Sequence, residues 1–559
     1  MHMGEGQLLN RAEASTQPST FQGTPRDTSW LMLLDFPSQV PQSHAQAVLV
    51  PPHVVASPPP SLRHTAMTKL LPSVPTPQLP WLVWCLFLAG CASNASGRKP
   101  AATAPSTTEH PADIHKLVAT VDRVMNDREA NPPPHNTYSH ETAYGPDHLA
   151  EPRVYLDSSE DYSALASTDC SGWVSFVLNT VSPLHEAVLQ SQRRLPDYNQ
   201  VYPDGFELKE GQRPWSRAFV LTNYFRSDRP KATGFERVER YEDLRLGDLV
   251  AYSMGRYTDP SDTSLVKPKD TGHTFVIDGA PTIVDPSTPG YDGEGTLARR
   301  TAKVIAVPII DASSTPHFDP DSRKNARGEY SLPPRTPYPK AKGGGIGTGT
   351  AWFALDKKGR VLQRRLGPGS EYYEVVIGAV RLREAIALVP EILDAEGNLV
   401  VEIFDNSPSE YGDTSYGRLP VHLTGEGGIY FVGGGRLVLN GNSDFAGGVI
   451  VQSGELLVDS ETGLGTGDIE MRGGALRLNH AAIDDRASLR LSDRLQDRAV
   501  HLGFTGRDYV HSIQIGDTVH RCGTWGGIAS AATFVDARFS GRGMLELTAE
   551  PATACAGPR

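Results

Sequence analysis

The chain has little cysteine, and its cysteines are not arranged as metal ligands. Five occur in 559 residues, no two are spaced as C-x-x-C, and no pair of histidines lies beside them. Zinc sites need Cys and His ligands at such close spacing. The sequence therefore predicts no metal site and no cofactor, and each cysteine has to be explained by itself.

Positive charge is also scarce. The formal net charge is -12 at pH 7. A field of that sign disfavours nonspecific binding to nucleic acid or to anionic lipid. No run of Lys and Arg is long enough to oppose it. We therefore expect no nucleic-acid partner.

Residues 81–90 form an apolar run, WLVWCLFLAG, that is only ten residues long, whereas a membrane-spanning helix needs about 20. The run suits the apolar core of a signal peptide, with Lys69 as the positive residue before it. It ends in Leu-Ala-Gly followed by Cys91, which resembles the bacterial lipobox. The resemblance implies a signal peptide over residues 67–90 and lipid attachment at Cys91. A short buried helix is the alternative.

These features predict a protein held in the cell envelope by a lipid anchor, with the outer membrane as its expected site. Residues 91–111 are small and polar, like a tether, and residues 1–66 are rich in Pro, Ser and Gln. The composition of residues 1–66 indicates either a disordered leader or a mis-assigned translation start. An exported chain meets an oxidising environment, so Cys522 and Cys555 either pair as a disulfide or remain two free thiols.

Cys170 stands at the expected start of a helix. Ser, Thr and Asp precede it, and an apolar-periodic run follows to about Val181, which is the pattern of a helix N-terminus. Unpaired N–H groups and the positive end of the helix dipole favour a thiolate at that position. The alternative is a buried structural cysteine, the commoner fate of a lone thiol.

Three motifs, in this order, resemble those of the NlpC-type cell-wall hydrolases, a papain-like family. They are DCSGWV at residues 169–174, RLGDLV at 245–250 and GHTFVI at 272–277. The resemblance implies an α+β papain-like domain over residues 112–392. In that family the thiol opens the central helix and a neighbouring antiparallel sheet carries the histidine. Cys170 is then the nucleophile and His273 its base.

The same resemblance implies the substrate. Family members cut amide bonds in peptidoglycan stem peptides, typically between D-glutamate and a diamino acid, and related thiol hydrolases are N-acetylmuramoyl-L-alanine amidases. Residues flanking the thiol hold the substrate's amino end in some members. Asp169 and Ser171 match those positions, although capping the helix is the simpler role for both.

A third polar group on the next strand orients the histidine in that family. Asp285 lies 12 positions after His273, a separation that a short hairpin gives, so we expect its carboxylate to hold the imidazole. The alternative is that Asp285 opens an Asp-Pro turn. Asp278 is a weaker candidate because it falls where the hairpin should turn.

One insertion departs from the compact members of the family. His273 follows Cys170 by 103 residues, which is a longer separation than in the compact members. The additional residues lie at about 184–235 and are rich in aromatic and basic side chains. This segment is either a wall or lid for the substrate or a structural elaboration.

After Leu399 the sequence repeats every 20 residues. Gly434, Gly454 and Gly474 mark equivalent positions between short strands with alternating apolar residues, which is typical of stacked repeats. The pattern resembles the passenger-associated repeat of autotransporters and implies a right-handed β-helix, or β-solenoid, over residues 393–550, with a tail at 551–559. A β-sandwich is the alternative. If the thiol domain is inactive, a surface adhesion or scaffold protein that displays the repeat is the remaining hypothesis.

Overall fold

The computed structural model describes residues 110–127, 129, 134–139, 142–144, 150–156, 164–192, 216–253, 272–315 without 294, 317–324, 344–404 without 369, and 420–549. The statements below concern these residues. The expected leader, the signal peptide, Cys91 and Cys555 lie outside them, so the predictions made there stay predictions.

The described part consists mostly of β-sheet, with four α-helices. The helices are α1 (His110–Met125), α2 (Cys170–Val181), α3 (Pro183–Ser191) and α4 (Ala218–Arg226). Three short 3-10 helices span Arg229–Lys231, Tyr241–Asp243 and Pro390–Ile392.

In the described ranges, fourteen strands precede residue 390. They are β1 (His135–Tyr138), β2 (Thr142–Tyr144), β3 (Ala150–Tyr155), β4 (Leu165–Thr168), β5 (Phe235–Arg237), β6 (Leu249–Ser253), β7 (His273–Ile277), β8 (Thr282–Ile283), β9 (Lys303–Ser313), β10 (Gly345–Leu355), β11 (Val361–Arg365), β12 (Tyr373–Glu374), β13 (Val376–Leu382) and β14 (Ala385–Ala387).

Nine of these strands form one sheet in the order β12-β11-β10-β9-β7-β6-β13-β5, with β8 attached to β9. The pairing within it is antiparallel throughout. A four-stranded sheet in the order β1-β4-β3-β2 leads into helix α2. An α+β composition is thus present in this part of the chain.

The two faces of the large sheet bury different sets of side chains. On one face, Val276 and Ile310 pack against helix α2, and the indole N–H of Trp173 donates to the carbonyl of Ile310 at 3.3 Å. On the other face, Phe275 and Phe353 belong to a separate core. This alternation follows from the period of two in a strand, and it places odd-numbered residues of β7 on the second face.

The strands after residue 390 are β15 (Asn398–Ile403), β16 (His422–Thr424), β17 (Gly428–Gly433), β18 (Arg436–Leu439), β19 (Val449–Val451), β20 (Glu455–Val458), β21 (Ile469–Met471), β22 (Ala475–Leu478), β23 (Ser488–Leu491), β24 (Val500–Leu502), β25 (Arg507–Val510), β26 (Ser512–Ile515), β27 (Thr518–His520), β28 (Thr524–Gly526), β29 (Phe534–Val535), β30 (Phe539–Gly541) and β31 (Met544–Leu547).

Most of these strands stack in parallel into two sheets, β15-β17-β19-β21-β23-β26 and β18-β20-β22-β24-β30. Ile429 pairs with Val449, and Val449 pairs with Ile469, so the step along this column is the 20 residues seen in the sequence. All three side chains are buried. The repeat therefore corresponds to stacked parallel strands.

The register of the first repeat differs by one residue from the 20-residue step of the sequence. A step of 20 residues would place Val438 above Val458, whereas the structure pairs Leu439 with Val458. The turn between β17 and β18 explains this shift in register, because the glycine with positive φ in this repeat is Gly433 rather than Gly434. Gly454 and Gly474 have positive φ in the later repeats.

Helix α2 connects the two parts of the chain. Asn179 is fully buried and donates to the carbonyl of Glu402 at 2.5 Å, while its side-chain oxygen accepts from the amide of Phe404 at 2.8 Å. These are backbone groups at the end of the first stacked strand. The helix that begins at Cys170 is therefore bonded to the repeat at its other end.

None of the helices in the described ranges is both long and apolar enough to cross a membrane.

Truncating a stacked side chain should cost stability. Leu476 is fully buried between Leu456 and Val500, so Leu476→Ala should lower the free energy of unfolding by about 2–4 kcal/mol. Denaturant unfolding followed by circular dichroism measures the loss. Arg477 points outward on the same strand, and Arg477→Ala should cost less than about 1 kcal/mol. Equal losses would contradict the inward stacking.

Candidate functional site

Cys170 is the first residue of helix α2, and the preceding residue caps that helix. The carboxylate of Asp169 accepts from the amide of Gly172 at 2.8 Å and from the hydroxyl of Ser171 at 3.0 Å. This is an N-cap, which satisfies amides that have no acceptor within the helix. Asp169 and Ser171 thus have structural roles beside the thiol, and Cys170 is the described free cysteine.

His273 is the first residue of β7 and lies opposite Tyr252 on β6. Its ring is almost completely buried. Burial alone would lower its pKa, but the charge of Cys170, the hydrogen bond to Asp311 and the hydrogen bond to Cys170 raise the pKa of His273 to about 9. The structure therefore brings the two residues together, and an imidazolium beside the sulfur is the favoured state of the ring.

The partner of the imidazole is Asp311. Its Oδ2 lies 2.5 Å from Nε2 of His273, which leaves Nδ1 as the nitrogen for the thiol. Asp311 is on β9, the strand that pairs with β7 through Val276 and Ile310. In that register Asp311 lies across from Phe275, so its side chain shares the sheet face of His273.

The prediction that Asp285 holds the imidazole is wrong. Asp285 is exposed, and its carboxylate accepts from the amide and the hydroxyl of Ser287 at 2.8 and 2.7 Å, which is the turn-opening alternative. The carboxylate of Asp278 lies 3.4 Å from Nδ1 of His115 instead. The reason is topological: β8 has only two residues and attaches to β9 far from His273. The strand that returns beside β7 is β9.

Asp311 also contacts two side chains that the sequence did not point to. Its Oδ2 lies 2.7 Å from Nε2 of His317, and its Oδ1 accepts from Arg323 at 2.8 Å. Nδ1 of His317 lies 3.0 Å from the carbonyl of Leu366, and Arg323 donates to Asp321 at 2.9 Å.

These contacts keep the Asp311 carboxylate ionised although it is fully buried. Burial alone would raise its pKa, but the charges of His317 and Arg323 and the hydrogen bonds from both histidines hold the pKa well below its usual range. A buried carboxylate is tolerated only when it is paired and hydrogen-bonded in this way.

Two glycines on β10 make room for this network. A Cβ on Gly349 would lie 2.6 Å from Cβ of His317, and a Cβ on Gly347 would lie 2.6 Å from Cγ of Arg323. Gly347 pairs with Asp311 across the strands. The alternating glycines of the GIGTG segment at 345–349 are the sequence signal that a loop packs on this strand.

His273, Asp311 and His317 could also hold a metal ion, because their ligand atoms lie within 4.8 Å of one another. The contacts of 2.5 and 2.7 Å to Asp311 are hydrogen-bond lengths. The other carboxylate oxygen is occupied by Arg323, whose positive charge disfavours a second cation there. We therefore assign the group as a hydrogen-bonded charge network.

A cleft of ≈ 510 Å³ opens beside His273. Its walls are built from the ends of β1, β6, β7, β9 and β11 and from the loops that follow β9 and β11, and the residues are Tyr138, Tyr252, Gly272, His273, Ser313, Ser314, Thr315, Arg364, Leu366, Gly367 and Ser370. The volume is in the range of pockets that bind small molecules or peptide segments.

The structure also bears on two further predictions, which concern the insertion and Cys522. Of the insertion at 184–235, the described residues form α3, α4 and adjoining turns, and Tyr224 and Phe225 are buried in the core; this part is a structural elaboration. Cys522 is disulfide-bonded. Its expected partner, Cys555, lies outside the described residues.

The two aspartates give a matched test of the site. Asp311→Asn removes the charge that supports the imidazolium of His273, so alkylation of Cys170 by iodoacetamide at pH 7 should slow roughly tenfold or more, a factor of ten being the equivalent of one pKa unit. Asp285→Asn should leave the rate unchanged. The Cys170→Ala protein supplies the background of other thiols. An equal effect of both substitutions would remove Asp311 from the site.

Comparison of the chain with known protein families, with curated proteins and with solved structures gives no match.

Proposed function

We propose that this protein is a cysteine hydrolase of the cell envelope that cleaves an amide bond in peptidoglycan stem peptides. The observation that carries the proposal is the succession Cys170, His273 and Asp311, with the thiol at a helix N-terminus and the imidazole facing an open cleft. The bond between D-glutamate and a diamino acid is the proposed target, as the resemblance to the NlpC-type hydrolases implies.

The proposed reaction uses each group according to its position. The Cys170 thiolate attacks the amide carbonyl, and the imidazolium of His273 gives its proton to the leaving amine. A water molecule that His273 deprotonates then hydrolyses the thioester. Amides in the first turn of α2 have no acceptor within the helix, and the amide of Cys170 is the proposed donor to the oxyanion.

Asp311 acts through His273 in this scheme. A carboxylate at Nε2 fixes the ring so that Nδ1 faces the sulfur, and it stabilises the imidazolium that must donate a proton. Because His317 and Arg323 keep this carboxylate ionised, its negative charge is available across the working pH range.

The finer architecture belongs to the same proposal. A helix with a thiol at its start, packed on an antiparallel sheet that carries the histidine, supports a papain-like arrangement. Parallel strands at a 20-residue step support a right-handed β-solenoid for residues 393–550. The proposed lipid anchor at Cys91 would hold both at the membrane. Asp169 and Ser171 cap the helix, and contact with the substrate's amino end is a further role proposed for them.

Replacement of the nucleophile tests the activity. Purified protein should release muropeptide fragments from peptidoglycan, and Cys170→Ala should abolish the release because no other described group can form the thioester. Addition of EDTA should leave the rate unchanged, since the scheme uses no metal.

The products also separate the rival activities. A free amino end on the diamino acid supports the endopeptidase, whereas glycan freed of whole stem peptides indicates an N-acetylmuramoyl-L-alanine amidase. Equal activity of Cys170→Ala and the unchanged protein would end the thiol-hydrolase proposal and leave a surface adhesion or scaffold role for the repeat.

The pH profile should have an alkaline limb at about 9, the pKa of His273. The imidazolium donates the proton, so activity is retained while the ring is protonated and falls as the pH rises through this value. Asp311→Asn removes one cause of the raised pKa and should move the limb to lower pH. Initial rates of hydrolysis between about pH 7 and pH 11, roughly two units on either side of the expected midpoint, measure both. An unchanged limb in Asp311→Asn would contradict this assignment.

A further inference from the structure

We propose that a depression lined by α4, β13 and the turn that joins β10 to β11 binds a phosphate group carried by a larger molecule, with the Tyr241 hydroxyl and the guanidinium of Arg226 as donors. This depression shares no lining residue with the cleft beside His273. The inference goes beyond the proposed function and does not depend on it.

The fold brings together four arginines that are far apart in the sequence. Arg226 ends α4, Arg237 ends β5, Arg300 precedes β9 and Arg360 precedes β11. All four line one depression of ≈ 410 Å³, which we call the arginine depression. Because no two of them are neighbours in the chain, the sequence alone shows no basic run at this place.

Backbone hydrogen bonds hold the walls of the arginine depression together. The amide of Val238 donates to the carbonyl of Ala379 at 2.9 Å, and the amide of Tyr241 donates to the carbonyl of Gly359 at 3.1 Å. The segment after β5 is thereby fixed both to β13 and to the turn between β10 and β11. The position of Tyr241 in the depression is therefore set by the backbone.

The arginine depression has more positive charge than its own acidic residues neutralise. Each acidic residue that lines it is paired with an arginine that also lines it, and the pairs are Glu239 with Arg237 at 2.5 Å and Asp356 with Arg360 at 2.7 Å. Within the described part of the chain, Arg226 and Arg300 form no ion pair. Two unpaired guanidinium groups in one recess favour an anionic ligand, although the chain as a whole has a net charge of -12.

A buried donor without an acceptor lies in the same place. Tyr241 is 5% exposed, and its hydroxyl has no hydrogen-bond partner among the residues that the structure describes. Burial raises the pKa of this hydroxyl, and the charge of Arg226 opposes the rise only in part, so the hydroxyl keeps its proton. The other charges that act on it are those of Glu239 and Arg237, which also line the depression. Buried donors are almost always hydrogen-bonded, so this one points to an acceptor that a ligand supplies.

A phosphate group supplies the acceptors that this arrangement lacks. Its oxygens point in several directions, so one can accept from the Tyr241 hydroxyl while others accept from the guanidinium of Arg226, and Arg300 adds a second positive charge. The volume of ≈ 410 Å³ is in the range of pockets that hold small molecules rather than a bare ion. The phosphate therefore belongs to a larger molecule, either a soluble phosphate ester or the headgroup of a phospholipid.

Two probes test the site and distinguish the two sources of phosphate. Glycerol 3-phosphate is titrated calorimetrically at constant ionic strength, and vesicles of phosphatidylglycerol in phosphatidylcholine are tested by co-sedimentation. Every protein is the full chain with Cys91→Ser, so that the proposed lipid anchor does not contribute. Arg226→Gln should weaken binding of the recognised probe roughly tenfold or more, the usual loss for a hydrogen bond to a charged group. Arg300→Gln should weaken it less, because it removes charge alone.

Two further variants separate binding from folding. Tyr241→Phe removes only a hydroxyl that has no partner in the described part of the free protein, so the free energy of unfolding should not fall while phosphate binding weakens several-fold. Arg299→Gln removes a neighbouring exposed arginine that does not line the depression. It should bind the probe as tightly as the protein without this substitution.

Binding of glycerol 3-phosphate that Arg226→Gln weakens supports the site with a soluble phosphate ester as its ligand. Binding of the anionic vesicles alone, weakened by the same substitution, supports it with a phospholipid headgroup. The inference is overturned if neither probe binds, or if all three site variants bind as tightly as Arg299→Gln. Neither measurement involves hydrolysis, so failure of this inference and failure of the proposed function are distinguishable.

Discussion

The site depends on one buried charge, the carboxylate of Asp311. It is fully enclosed and contacts two imidazoles and one guanidinium. Taking an ionised carboxylate out of water costs several kcal/mol unless hydrogen bonds and opposite charges replace the solvent. The buried carboxylate of Asp311 therefore requires all three partners in their observed positions. His273 is one of them, so the group that would serve catalysis is also part of the network that makes the buried charge tolerable.

This requirement extends into the surrounding backbone. His317 and Arg323 are on a loop, and that loop can approach Asp311 only where β10 has no side chains, which is the reason for Gly347 and Gly349. The amide of His317 is itself bound to Asp321 at 2.8 Å. The conformation of the loop and the glycine pattern of the strand are thus both tied to the same carboxylate.

Local signals in the sequence were sufficient for part of this site. The capping residues before Cys170 and the β-branched and aromatic residues after His273 define a helix start and a strand without reference to the rest of the chain. Asp311 could not be found in this way, because β8 interrupts the hairpin and the partner strand returns 25 residues after Asp278. The period of the repeat could be predicted from the sequence. The one-residue shift in strand register at the first turn could not, because Gly433 and Gly434 are adjacent and differ only in their φ angles.

The contacts of the network are continuous, which explains why one substitution should affect the whole site. Cys170 faces His273, His273 faces Asp311, and Asp311 faces His317 and Arg323; Arg323 in turn faces Asp321. Both ring nitrogens of His317 lie within hydrogen-bond distance of an oxygen, one of the Asp311 carboxylate and one of the Leu366 carbonyl. Each of these side chains thus contacts the next one in the network. Neutralising any one of them leaves a buried neighbour without its partner, and in such a network the pairwise effects do not add.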